Sequence, residues 1–218
     1  APTFLAGSDD GGDLILSPGE RWSYEATAAA EAIAASTGQT TWLHLTGNSP
    51  LDGPDGNVRT FDADGLFVNA SAFSRDSHGD WSEAYLGVFG GGLGVTDAGE
   101  GDGGNGTHRA DNLGEQNFIL FEFSETVVVD KAFLDSVVHD SDINVWIGSA
   151  ADPFNNHLTL SDGLLDGLTK EADWTGSGNS RWADFNGGAL AGNVLVLAPS
   201  VDDATPEDRF KVRKVVAD

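Results

Sequence analysis

The sequence predicts an all-β protein, a β-sandwich or jelly roll with one N-terminal helix. Two observations carry this expectation. Between residues 41 and 216, nine short runs of alternating or continuously apolar residues are separated by segments rich in Gly, Asp and Asn. Short strands punctuated by turn residues mark sandwiches and barrels. Helical periodicity, by contrast, is confined to the first forty residues, and no fixed repeat period appears.

The helix comes first. In "SPGERWSYEATAAAEAIAASTG", Ser17 is placed as N-cap, Pro18 at the first helical position and Glu20 where a capping box needs it. An alanine-rich body follows, and Gly38 is placed to end it. The pattern predicts a helix over 18–36, inside an N-terminal segment 1–40. The β-sandwich domain, 41–218, then opens with expected strands at 41–46, 57–61, 66–74 and 84–89. Further strands are expected at 117–123, 125–130, 143–148, 193–198 and 209–216. In the last, Phe210 and Val212 share one face while Lys211 and Arg213 share the other, as in a strand with one buried side.

Charge narrows the function classes. Thirty-five acidic residues against eleven basic ones give a net −24. A nucleic-acid binder needs cations to neutralise phosphates, so that class is excluded, and anionic membrane surfaces are disfavoured for the same reason. So acidic a surface suits a salty, cation-rich medium that screens it. The expectation is a secreted monomer from a marine or salt-tolerant bacterium. With no cysteine, disulfides, thiolate metal ligands and thiol catalysis are out. The opening "APTFLAG" reads as a start left by signal-peptide removal. No apolar run approaches the length of a membrane span.

Three oxygen-rich turns suggest a hard cation. Calcium takes six to eight oxygens from carboxylates, amide side chains and backbone carbonyls. "GDGGNGTHRADN" (101–112) offers Asp102, Asn105, Asp111 and Asn112, "HDSDIN" (139–144) adds Asp140 and Asp142, and "SDDGGD" (8–13) is a third cluster. Structural Ca²⁺ is therefore expected, although Asp, Asn and Gly dominate ordinary turns as well. Gly99, Gly101 and Gly104 satisfy G-x-G-x-x-G, but no helix follows and the neighbouring acids would repel a pyrophosphate.

Enzyme signatures are missing: there is no G-x-S-x-G, H-E-x-x-H or phosphate-binding P-loop, and five histidines are too scattered for zinc. No catalytic residue is assigned. His108 near Asp111 reads first as a turn histidine and second as a base with its orienting carboxylate. Glu122 shares a face with Phe118 and Leu120. If that face is covered, it is a carboxylate of raised pKa or a metal ligand; if wet, the commoner case, it is merely solvated. Trp81, Trp174 and Trp182 sit in polar, glycine- and serine-rich surroundings, where such rings cap the sandwich ends in the commoner case and, where exposed, can stack on sugars.

The succession "VNASAFS", "GGGLGVTD", "HRADNLGEQNFILFEFSETVVVDKAFL", "DSDINVWIG" and "DRFKVRKV" resembles the extracellular β domain of exosortase-sorted, PEP-CTERM-type bacterial surface proteins. The likeness covers roughly residues 57–216 and is one of strands and turns, not of catalytic groups. The chain ends "KVRKVVAD" without the family's sorting signal: either that signal has been removed or the likeness lies in the β domain alone. The resemblance implies a secreted, surface- or matrix-associated protein tied to exopolysaccharide and biofilm. The expected function is thus a calcium-stabilised, non-catalytic module that binds glycan or exopolysaccharide. The alternative is a polysaccharide-acting enzyme, a glycoside hydrolase or lyase using paired carboxylates.

Overall fold

A single strand of 24 residues, Gln116–His139, runs through both layers of the molecule. The computed structural model describes residues 40–47, 57–101, 108–202 and 207–218, and the backbone alone at 7–8 and 14–15. Contacts divide the chain into two units, Ala1–Gln39 and Thr40–Asp218. In the first, Gly7–Ser8 (β1) pairs antiparallel with Leu14–Ile15 (β2); the helix expected at 18–36 lies outside the described residues.

The second unit is an antiparallel all-β fold. Its strands are β3 (Thr41–His44), β4 (Arg59–Ala63), β5 (Leu66–Arg75), β6 (Trp81–Glu83), β7 (Tyr85–Phe89), β8 (Gly92–Thr96) and β9 (Ala110–Asp111). The long strand is β10, followed by β11 (Ile143–Gly148), β12 (Thr169–Asp173), β13 (Arg181–Asp184), β14 (Ala191–Pro199) and β15 (Asp208–Ala217). A short helix, α1 (Asp162–Asp166), is N-capped by Ser161.

The first half of β10 lies between β5 and β14, and β14 continues to β11 and β12. The second half lies between β13 and β15, and β15 in turn pairs with β3, β8 and β9. The switch occurs around exposed Ser124, Glu125 and Thr126, where the β10–β14 register slips between Glu122 and Val127. A bulged strand that changes sheets makes the corner of a sandwich. The sequence suggests two strands here, 117–123 and 125–130; the chain stays extended through the polar break and makes one.

Period-two alternation then sorts the side chains. Ile119, Phe121 and Phe123 of β10 face inward with Val68, Ala70, Ile143, Val145, Leu195 and Leu197. The other sheet presents Leu43, Leu86, Leu93, Val95, Leu134, Phe210, Val212 and Val215 to the same core. Phe210 and Val212 are fully buried, as the alternation in "RFKVRKVV" requires. A second apolar cluster forms on the outer face of the first sheet. There Phe73, Phe118, Leu120, Trp146, Val194 and Val196 are covered by Leu158, Leu160 and the leucines of and around α1.

Strand β8 shows how glycine builds this fold. A Cβ on Gly94 would lie 2.2 Å from the His108 carbonyl oxygen. Only a residue without a side chain lets the two backbones approach so closely.

Candidate metal centre

The two sheets meet at one end in a knot of carboxylates. Asp140 and Asp142 lie in the turn from β10 to β11, and Asp208 opens β15. Each offers a carboxylate oxygen, and all three oxygens lie within 4.8 Å of one another. Oxygens on opposite sides of a calcium ion, each 2.3–2.6 Å from it, would be about 5 Å apart. The trio therefore has the dimensions to hold a metal ion. Among the described residues it is the group of acidic and histidine side chains that converges in this way.

Backbone pairing builds the knot. Asp208 stands opposite His139 in the β10–β15 ladder and bridges to Asp140. The Arg209 N–H donates to the Asp140 carbonyl at 3.1 Å, and the Ser200 N–H donates to that of Asp142 at 2.9 Å. The Asp142 N–H donates to Asp208 Oδ1 at 2.6 Å, while Ser141 N–H reaches Asp140 Oδ1 at 2.7 Å. Asp208 is fully buried and Asp142 nearly so. Three carboxylates packed this closely, two of them buried and Asp140 half-buried, repel one another, and a proton or cation among them relieves that repulsion.

Gly176 closes one side. Its N–H donates to Asp142 Oδ1 at 2.5 Å. A Cβ there would fall 2.4 Å from both Asp140 Oδ1 and Asp142 Oδ1. The segment carrying Gly176 is anchored by Arg181, which donates to Asp173 Oδ2 at 2.7 Å and to the Ser141 carbonyl at 2.8 Å. Burial works to raise the Asp173 carboxyl. Hydrogen bonds from Thr175, Arg181 and the Asp184 N–H outweigh it and hold the group below the ordinary carboxylate range. The pair is a fixed, ionised strut behind the trio.

The other residues expected at a metal site divide into two groups. Asn112 reaches the trio: its Nδ2 lies 3.4 Å from Asp208 Oδ2, and its Oδ1 accepts the Asp208 N–H at 3.1 Å. It also lines an open polar cleft of about 370 Å³ with Arg75, His78 and Gln116. Asp111 turns the other way, into a second acidic group. Its N–H donates to Asn117 Oδ1 at 3.2 Å, and Asn117 Nδ2 donates to Asp97 Oδ2 at 3.0 Å. Asp97 caps the 3₁₀ turn Ala98–Glu100 in a capping box. Burial, with Asp111 and Asp97 nearby, raises the Glu100 carboxyl to about 7, and burial raises Asp111 to about 6. Asp102 and Asn105 lie outside the described residues.

His108 is not a partner of Asp111. Its Nδ1 is 2.7 Å from Thr96 Oγ1 and its ring packs 5.0 Å from Phe89. Burial lowers its pKa, with Lys211 contributing in the same direction.

Glu122 is on the covered face and fully buried, not solvated. It accepts from His157 Nδ1 at 2.6 Å and from the Leu158 N–H at 2.7 Å, which ties the segment over the outer face to the sheet. His157 appears in no sequence-level motif, because 35 residues separate it from Glu122.

The three tryptophans have different fates. Trp81 packs 4.7 Å from Phe118 and donates to Asp162. Trp182 lies against Trp42 and Phe133 on the outer face of the second sheet. Trp174 is 53% exposed, donates to Asn144 Oδ1 at 3.2 Å, and sits two residues from Gly176. Asp208 was not marked by the sequence. Its one signal is an acid at a strand entrance, as at Asp142, and only the ladder shows that the two entrances meet.

Comparison with family models, curated proteins and solved structures finds no match to this chain. No helix among the described residues is long and apolar enough to cross a membrane.

Proposed function

We propose that the chain is a secreted, non-catalytic β-sandwich module, stabilised by calcium, that binds glycan or exopolysaccharide at a bacterial surface or matrix. The observation that carries this reading is the convergence of Asp140, Asp142 and Asp208. The ligand atoms are hard oxygens, a set that favours calcium or magnesium over soft metals. Calcium accepts the irregular geometry of a turn and two strand ends more readily than magnesium, which demands a near-ideal octahedron. An ion here ties β10, β11 and β15 together and stiffens the end of the sandwich that displays Trp174. Exposed Trp174, held by buried Asn144, supports glycan binding, since a fixed indole offers sugar C–H faces a flat apolar surface. The resemblance to exosortase-sorted surface proteins points the same way.

The test is thermal melting in EDTA, in millimolar CaCl₂ and in MgCl₂ at matched ionic strength. Calcium should stabilise by RT ln(1 + [L]/Kd), about 2.7 kcal/mol at a hundredfold excess over Kd. Asp208→Asn should abolish most of that gain, whereas Asp152→Asn, on an exposed turn, should leave it intact. Equal shifts from the two ions, or the same calcium gain in Asp208→Asn, would refute the site.

A further inference from the structure

The outer face of the second sheet is built unlike the rest of this acidic chain. Four neighbouring strands, β3, β15, β10 and β13, present Trp42, Lys214, Phe133, Lys131 and Trp182 on it. Trp182 is central: its ring meets Trp42 edge-on at 5.5 Å and Phe133 at 5.1 Å. Lys131 Nζ lies 5.9 Å from the Trp182 ring centre and Lys214 Nζ 5.7 Å from that of Trp42. Trp42 is 43% exposed, although a large aromatic gains by burial.

The placement of cations is the second observation. The sequence has four lysines: Lys131, Lys170, Lys211 and Lys214. Lys170 is paired with Asp202 across the other sheet. The other three lie on this face, Lys211 opposite Asp135 in the β10–β15 ladder and over the Phe89 ring at 3.9 Å. Among the described residues, neither Lys131 nor Lys214 is in an ion pair with a carboxylate. Lys131 stands opposite Asp184 in the β10–β13 ladder without an ion pair to it, so in a chain with 35 acids and eleven bases two lysines held against indole rings can offer charge to a ligand.

We propose that this face binds an acidic polysaccharide, its sugar rings stacking on Trp42 and Trp182 and its carboxylates meeting Lys131 and Lys214. The ligand class follows from the pair of features. Aromatic rings alone would suit a neutral glycan, and lysines alone any anion, but rings flanked by lysines match a polymer of sugars that carry carboxylates. The net negative charge of the chain opposes such a ligand at long range. That repulsion is screened beyond about 8 Å at physiological salt, whereas the lysines act at contact. The inference rests on the glycan-binding reading above and gives it a place and a ligand class. It does not use the metal centre.

Affinity electrophoresis at 0.15 M NaCl in EDTA, through gels holding polygalacturonate or neutral hydroxyethyl cellulose, tests it. The wild-type chain should be retarded by the polyuronate and much less by the neutral polymer. Trp42→Ala should weaken retardation about tenfold or more, the loss expected for one buried aromatic contact. Lys131→Gln with Lys214→Gln should weaken it and flatten its salt dependence. Asp152→Asn, on an exposed turn away from this face, should leave it unchanged, with folding of each variant checked by circular dichroism. Undiminished polyuronate binding in both platform variants, or equal retardation by the neutral polymer, overturns this proposal while the glycan module stands. Binding to neither polymer overturns both. A dimer in sedimentation velocity that Trp42→Ala dissociates would assign the face to a second copy of the chain, and would overturn it too.

Discussion

Glu122 is the most constrained single residue outside the metal centre. A carboxylate with no exposure must find its partners within the protein, and it has two, the His157 ring and the Leu158 amide. The hydrogen bond to Glu122 raises the His157 pKa, against a smaller opposing effect of burial. The sign of the linkage follows. A histidine with a raised folded pKa contributes stability that is complete below its unfolded value of about 6.5 and is lost as pH rises through the folded value. The clasp on the segment after β11 therefore loosens on the alkaline side. A ring-proton titration by NMR should place His157 above 6.5 in the wild type and return it towards 6.5 in Glu122→Gln. An unshifted His157 in the wild type would dismiss the clasp. Glu122→Ala, which strands the Leu158 N–H, should cost about 1–3 kcal/mol in urea unfolding.

Among the elements, β8 tests whether close backbone approach decides the fold. Gly94→Ala forces a Cβ to within 2.2 Å of the His108 carbonyl, and overpacking of this kind costs about 1–3 kcal/mol or more. Gly90→Ala, in the adjoining turn with nothing within 4 Å, should cost far less. Similar urea midpoints for the two would mean that the β8 backbone moves aside freely. The same strand marks the limit of what the sequence reveals. Runs such as "NFILFEF" and "INVWIG" are readable because both faces are apolar and buried. "GLGVT" is not, because its glycines look like a turn until the partner backbone is in place. "TKEAD" and "RWAD", β12 and β13, are polar strands whose stability comes from pairing, not from pattern. The same reason divides the metal centre. Asp140 and Asp142 stand out as acids at a strand entrance, while Asp208 joins them through a hydrogen bond between residues 66 positions apart.

At the scale of the whole molecule, the net charge of −24 sets the response to salt. Two effects compete. Screening weakens exposed ion pairs such as Arg75–Asp162 and Lys170–Asp202, but each of these is worth at most about 1 kcal/mol. It also weakens the mutual repulsion of the carboxylates that outnumber the cations, a sum over many long-range terms. The buried Asp173–Arg181 pair, with side chains 6% and 13% exposed, is nearly indifferent to either. Repulsion should win. Raising NaCl from 0.05 to 1 M shortens the screening length from above 10 Å to about 3 Å, and the melting temperature should climb by several degrees. For a chain of this size each kcal/mol corresponds to about 2–4 °C. The melts belong in EDTA, so that calcium at the aspartate trio does not mask the trend. Sodium chloride and tetramethylammonium chloride should act alike if screening is the cause. A flat or falling melting temperature would mean that the acids are spaced well enough not to strain the fold, and that their number serves solubility alone.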